Sequence, residues 1–324
     1  MLTEILTVII GFVLIIIIAE LILRNSIQVA SHYGLSGTFI GLTVLSIGTS
    51  LPEIMTHIIG SVHIIKNPLT INTFSALLLG TNIGSDVFQQ NLILPVIRLL
   101  GGLIIIRKNL FPQMGGLILA SILVWIFTFN HYISRLEAFI LLVAYIVYLI
   151  YIKKSKISES FETKNHLTNK QVVLAIGIIS ICFIIMAVIA DEVLNASTII
   201  IQSLNISASF FGVIALGIAS ALPELTTSLI AVLKKKEDIS AGILIGSNIT
   251  NPLLGIGLGA LISTYTVPNV VIFYDLPVKI GTAALIYYFL FTNEKLKRWE
   301  SIMLITLFFT YLYVRTIYFP TDFI

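Results

Sequence analysis

From residue 3 to residue 318 the chain is a succession of apolar runs separated by short polar breaks. A helix needs roughly 20 mostly apolar residues to cross a bilayer. Runs of that kind occupy residues 3–23, 37–61, 69–97, 111–129, 134–152, 170–190, 208–233, 239–264, 269–292 and 299–318. Hydrophobic residues make up 57% of the 324 and charged residues 11%, where a soluble domain carries about 25% charged residues. No water-soluble fold of this size could bury so much apolar surface and keep a wettable exterior. The expectation is an all-α polytopic membrane protein of about ten transmembrane helices, with the lipid bilayer as its surroundings and no nucleic-acid partner. The first run has no basic segment ahead of it and no small-residue cleavage site, so it reads as a retained helix. Cys182, the single cysteine, lies inside an apolar run and excludes a disulfide framework or thiolate cluster.

The basic residues set the expected orientation. Odd-numbered loops carry Arg24, then Arg98, Arg107 and Lys108, then Lys153, Lys154 and Lys156, then Lys234, Lys235 and Lys236, then Lys295, Lys297 and Arg298. Even-numbered loops hold little beyond Lys66 and Arg135. Lys and Arg are retained on the cytoplasmic side, so the odd loops are expected in the cytoplasm and both termini outside the plasma membrane. The polar stretch 153–169 reads as a cytoplasmic linker between two five-helix units, 1–152 and 170–324. An odd number of spans per unit gives the two units opposite orientations.

An internal repeat supports that division. Gly41-Leu-Thr-Val-Leu-Ser-Ile-Gly-Thr-Ser-Leu-Pro-Glu53 aligns without gaps on Gly212-Val-Ile-Ala-Leu-Gly-Ile-Ala-Ser-Ala-Leu-Pro-Glu224. Gly80-Thr81-Asn82-Ile83 matches Gly246-Ser247-Asn248-Ile249 in the next span, and Pro112 falls near the place of Pro277. Inverted repeats are a transporter signature, with the substrate site near the midplane where the repeats meet.

The repeated motif carries cation chemistry. Proline within a helix removes one backbone bond and clashes with the carbonyl four residues back, so Pro52 and Pro223 are expected to kink their helices and free carbonyls near Gly48 and Ala219. Glu53 and Glu224 sit deep in apolar spans, where a charge costs roughly 2.5–3.5 kcal/mol on insertion scales. No Lys or Arg in any span reads as their partner, and a bound cation is the simplest compensation. Thr49 and Ser220, four residues ahead, share a helix face with these carboxylates, and Ser46 lies about one turn further along. Thr81 with Ser85, Ser247 with Asn251, and Asn82 with Asp86 form further i, i+4 pairs of oxygen donors. Such hard donors select Na+, Ca2+ or Mg2+ over zinc or copper, and loose geometry favours Ca2+. His57, one turn after Glu53, reads as a packing or mouth-lining histidine, since the other half has Ser228 there. Gly48, Gly212 and Gly217 read as close-packing positions, and Glu20 as the local ion-pair partner of Arg24.

Paired Gly-Thr-Ser-x-Pro-Glu and Gly-Ser-Asn-Ile motifs in two inverted five-helix halves resemble the sodium/calcium exchanger family of the Ca2+/cation antiporters, in a compact prokaryotic form. The resemblance is sharpest over 41–86 and 212–251. It implies an antiporter, not an enzyme, with no cofactor and with Ca2+ and Na+ as transported ions. Glu53 and Glu224 would be the central Ca2+ ligands, with Thr49 and Ser220 at the same site. Ser46, Ser50, Thr81, Ser85, Ser247 and Asn251 would serve Na+, in a functional unit that is a monomer. It also implies a mobile pair, such as the first and sixth helices, sliding past the core. The family often has Asn or Asp where Ser85 stands and Asp where Asn251 stands, and Ala221 offers no hydroxyl. Asp86, one residue beyond the usual place, is a further candidate ligand. These departures leave an H+-coupled divalent exchanger as the alternative. Symmetric kinked helices argue against a channel, and the absence of a nucleophile beside the carboxylates argues against an enzyme.

Overall fold

The computed structural model describes residues 1–33, 45–100, 110–154, 167–233, 237–293, 295–319 and 321–322. Residues 41–44 of the repeated motif, Arg107, Lys108, linker residues 155–166 and Lys234–Lys236 lie outside the described residues. The chain is built from α1 (Leu2–His32), α2 (Ser46–Thr49), α3 (Leu51–Lys66), α4 (Ile71–Phe88), α5 (Leu94–Leu100), α6 (Gly116–Thr128) and α7 (Arg135–Lys154). They are followed by α8 (Asn169–Leu204), α9 (Ala208–Phe211), α10 (Gly217–Ser220), α11 (Leu222–Leu233), α12 (Glu237–Thr250), α13 (Gly257–Ser263), α14 (Leu276–Asn293) and α15 (Arg298–Tyr318). Wide π turns at Gln89–Ile93, Gly212–Leu216 and Asn251–Ile256 join α4 to α5, α9 to α10 and α12 to α13. Two more, Phe111–Gly115 and Val271–Asp275, lead into α6 and α14.

Among the described residues, eight helices are long and apolar enough to cross a membrane. The two helical stretches outside that set, Ser46–Lys66 and Ile71–Leu100, carry most of the buried polar residues described up to residue 152. The molecule is inverted relative to a soluble protein. Ile9, Val173, Ile184 and Phe309 face outward, while Glu53, Asn82, Ser85, Asp86, Glu224 and Asn251 are fully buried. That distribution suits a hydrocarbon solvent, which leaves polar groups no partner except protein or cargo.

The two Leu-Pro-Glu motifs break their helices at equivalent residues. α2 ends at Ser50 (φ −81°, ψ 5°) and α10 at Ala221 (φ −82°, ψ 0°). α3 and α11 start afresh with Pro52 and Pro223 as their second residues, a position that proline tolerates because its missing N–H has no intrahelical partner there. The structure shows the expected kink as an interruption of one residue, with helical hydrogen bonds on either side of it. It puts Glu53 and Glu224 in the first turn of a new helix, where the helix dipole favours negative charge.

Each half supplies the neighbour of the other half's break. α4 lies against α9, α10 and the π turn between them, and α2 lies against α12. The backbones touch: a methyl added at Gly84 would sit 2.5 Å from Val213 Cα, and one at Gly217 would sit 2.7 Å from the Ser85 nitrogen. Glycine is required for that approach. The short strands β1 (Tyr132–Ile133) and β2 (Tyr265–Thr266) pair antiparallel, and Thr266 Oγ1 donates to Asn72 Oδ1 (3.0 Å). Two connecting segments and the first turn of α4 thus meet. On the odd side, Arg98 donates to the Leu296 carbonyl. α1 and α8 run along each other, and the predicted Glu20–Arg24 pair closes at 2.7 Å.

Candidate ion-binding site

Glu53 and Glu224 are both fully buried, and each has one oxygen engaged and one free. Glu53 Oε1 accepts from Ser85 Oγ at 2.7 Å. Glu224 Oε1 accepts from Ser50 Oγ at 3.5 Å. Oε2 of each has no hydrogen-bond partner. Thr49 Oγ1 and Ser220 Oγ donate within their own helices, to the Ser46 carbonyl (3.3 Å) and the Gly217 carbonyl (3.1 Å). Ser50, at the break of the first motif, thus serves the acid of the second. A buried carboxylate facing another carboxylate is costly unless a positive charge joins them.

The adjoining amides present oxygens as well. Asn82 donates Nδ2 to the Asn251 carbonyl (2.8 Å), and Asn251 donates Nδ2 to Asp86 Oδ1 (2.9 Å). Asn82 Oδ1 and Asn251 Oδ1 are left buried without a partner. Four buried residues, Glu53, Glu224, Asn82 and Asn251, therefore hold unsatisfied acceptors. Donors are what such a set lacks, and a metal cation is a ligand that needs none.

The remaining predicted hydroxyls are further from the acids. Ser46 Oγ lies 2.9 Å from Thr250 Oγ1, which in turn meets the Tyr145 hydroxyl. Thr81 Oγ1 donates to its own helix at Leu77 (2.8 Å). Ser247 donates to Gln89 Oε1. Gln89 and Gln90, which the sequence reading passed over, bridge the halves: Gln89 Nε2 donates to Ser85 Oγ (3.1 Å) and Gln90 Nε2 to Asn248 Oδ1 (2.7 Å). Polar side chains inside an apolar run were the available signal.

A cation does stand in a span: Lys279 of α14, 1% exposed, forms an ion pair with Asp86 Oδ2. With Asn251 on Oδ1, both Asp86 oxygens have a partner. Asp275 is four residues before Lys279 yet pairs with Arg315 of α15 (3.3 Å), so the obvious local partner is not the one used. Of the two readings of His57, the structure shows the packing one. It is fully buried, with Nδ1 3.0 Å from the Tyr265 hydroxyl and Nε2 3.3 Å from Asn82 Nδ2.

The sodium/calcium exchanger protein family model matches residues 3–154 and 174–317. The chain belongs to that family. It is therefore a membrane transporter of the cation antiporter class and not an enzyme. Among its relatives, inner membrane protein YrbG of Escherichia coli K12 is 28% identical over 264 residues, covering 79% of this chain and 78% of that one. The sodium/calcium exchanger MaX1 of Methanosarcina acetivorans is 25% identical over 354 residues, covering 95% and 97%. The solved sodium-calcium exchanger NCX_Mj, soaked with Na+ and Sr2+, superposes with a TM-score of 0.64 at 25% identity, over 95% of this chain and 96% of that chain.

Proposed function

We propose that this family member exchanges Ca2+ for Na+ across the plasma membrane, with Ca2+ held between Glu53 and Glu224 near the midplane. The observation that carries the reading is the pair of fully buried carboxylates at equivalent helix breaks, each with an unpartnered oxygen. Two carboxylates balance one Ca2+, and the hydroxyls of Thr49, Ser220, Ser50 and Ser85 beside them supply neutral oxygens of the kind Ca2+ accepts. Na+ uses the same acids together with Ser50, Ser85 and Asn251, while Ser46, Thr81 and Ser247 line the space around them. Asp86 serves as the counter-charge of Lys279. Because Ca2+ and Na+ share the acids, occupancy by one excludes the other, which is the condition for coupled exchange.

In this reading the chain is two inverted five-helix repeats, 1–152 and 170–324, joined by the cytoplasmic linker 153–169. Both termini lie outside the cell and one chain is the working unit. Alternating access comes from α1 and α8 moving against the core that holds the site. The test is radiolabelled Ca2+ uptake into proteoliposomes loaded with Na+, beside vesicles carrying only a pH gradient. Na+-driven uptake that disappears in Glu53→Gln and Glu224→Gln is the expected result. Uptake driven by the pH gradient alone would make the protein an H+-coupled exchanger, and no Ca2+ uptake under either gradient would refute the Ca2+ reading.

A further inference from the structure

The charge balance of the site goes beyond the identity of its ions. Three carboxylates, Glu53, Glu224 and Asp86, are fully buried, and hydrogen bonds link their surroundings: Ser85, next to Asp86 in the chain, donates to Glu53, and Ser50, three residues before Glu53, donates to Glu224. One ammonium, that of Lys279, is buried with them and paired to Asp86. The four groups carry a net charge of minus two before any ion arrives, if the acids are ionised.

We infer that Lys279 is a tethered cation that occupies one charge position of the cage for good, so that one Ca2+ exchanges for two monovalent cations and no net charge crosses the membrane. Ca2+ brings the cage to neutrality, and so do two monovalent ions. A third would leave surplus positive charge sealed in a low-dielectric interior, where an uncompensated ion is strongly disfavoured. The ammonium cannot leave, because it is a side chain of α14. Asn251 strengthens the assignment: it is a neutral amide that donates to Asp86, so it adds no fourth charge.

This rests on the exchanger reading, and the experiment separates the two. Proteoliposomes take up radiolabelled Ca2+ against an outward Na+ gradient, with valinomycin and K+ setting the membrane potential to zero or to the value of an approximately tenfold K+ gradient. A carrier that moves one charge per turnover would change Ca2+ accumulation about tenfold between the two conditions. The expected result is no change. Lys279→Gln exposes Asp86 and admits a third cation, so its accumulation becomes voltage-sensitive by about that factor. The double variant Asp86→Asn/Lys279→Gln keeps two free carboxylates and stays insensitive. A voltage-sensitive wild type would overturn the inference while leaving the exchanger reading intact. So would a Lys279→Gln variant that transports without sensing voltage. If Lys279→Gln fails to insert, the wild-type and double-variant arms still decide. No Ca2+ uptake by the wild type at either potential would remove the exchanger reading and this inference with it.

Discussion

Gly84 is the position where one methyl group does most damage to the site. A Cβ there would lie 2.5 Å from both the Cα and the carbonyl oxygen of Val213, and real Cβ atoms essentially never come within 3.0 Å of a neighbour. The obstacle is backbone, so no side-chain rotation relieves it, and α4 must draw back from the Gly212–Leu216 turn by about 1 Å to reach ordinary contact. Overpacking of this kind costs about 1–3 kcal/mol. The same retreat displaces Ser85, the next residue, from its place 2.7 Å from Glu53 Oε1, and a shift of about 1 Å is enough to spoil a hydrogen bond. Gly84→Ala should therefore lower the melting temperature in detergent and weaken Ca2+ uptake at limiting Ca2+, read as thermal unfolding and initial uptake rates on one preparation. Gly281→Ala is the control. A Cβ at Gly281 meets nothing within 4 Å, and alanine gains up to about 1 kcal/mol of helix propensity over glycine. Equal stability and transport in the two variants would refute the claim that backbone contact at Gly84 holds the halves in register.

Other outcomes follow from the same geometry. Asp86→Asn and Lys279→Met each strand a buried charge and should each cost about 3–5 kcal/mol, with the double variant recovering much of it, since the loss is mainly that of an unpaired ion; thermal unfolding of the three variants checks this. Ser85→Ala removes the donor to Glu53 Oε1 and should weaken ion affinity by about tenfold, on the scale of a lost hydrogen bond to a charged group, measured from the Ca2+ dependence of uptake. Tyr265→Phe deletes the hydroxyl shared by His57 and Ser61 and should lower stability by about 1–3 kcal/mol while Ca2+ uptake stays Na+-driven. Loss of transport without loss of stability would instead place His57 in the ion path.

Much of the architecture was legible because hydrocarbon imposes a simple rule on sequence. The run expected at 239–264 is the span Ser240–Ser263, and that at 269–292 is Val271–Thr292. The rule failed at the sixth run, expected to end at residue 190. The acidic pair Asp191–Glu192 ends the apolar stretch but not the helix, which continues to Leu204 and stops at Asn205, whose φ of 50° is left-handed. Hydropathy marks where lipid contact weakens, whereas a helix ends where its backbone turns. The acids of the site were legible too, since Leu-Pro-Glu appears twice and a carboxylate deep in a span needs a partner. The partners themselves were not. Asp86 and Lys279 are far apart in the chain, and Asp275 at i−4 offered Lys279 a nearer match that the fold does not use. Ser50 beside Glu224 comes from an interlock that appears only when both breaks are placed side by side.

The length of α8 bears on where this protein can work. Its 36 residues span about 54 Å at 1.5 Å per residue, against a hydrocarbon layer of about 30 Å. α1, which packs along it, has 31 residues. Such a pair must lie steeply oblique or stand proud of the bilayer, and each ångström of mismatch costs a fraction of a kcal/mol. The acyl-chain length of the host lipid is thus a mechanical setting on the pair's inclination. A membrane thickened by sterol or long-chain lipid would stand the pair more upright, and a thin one would lay it flatter.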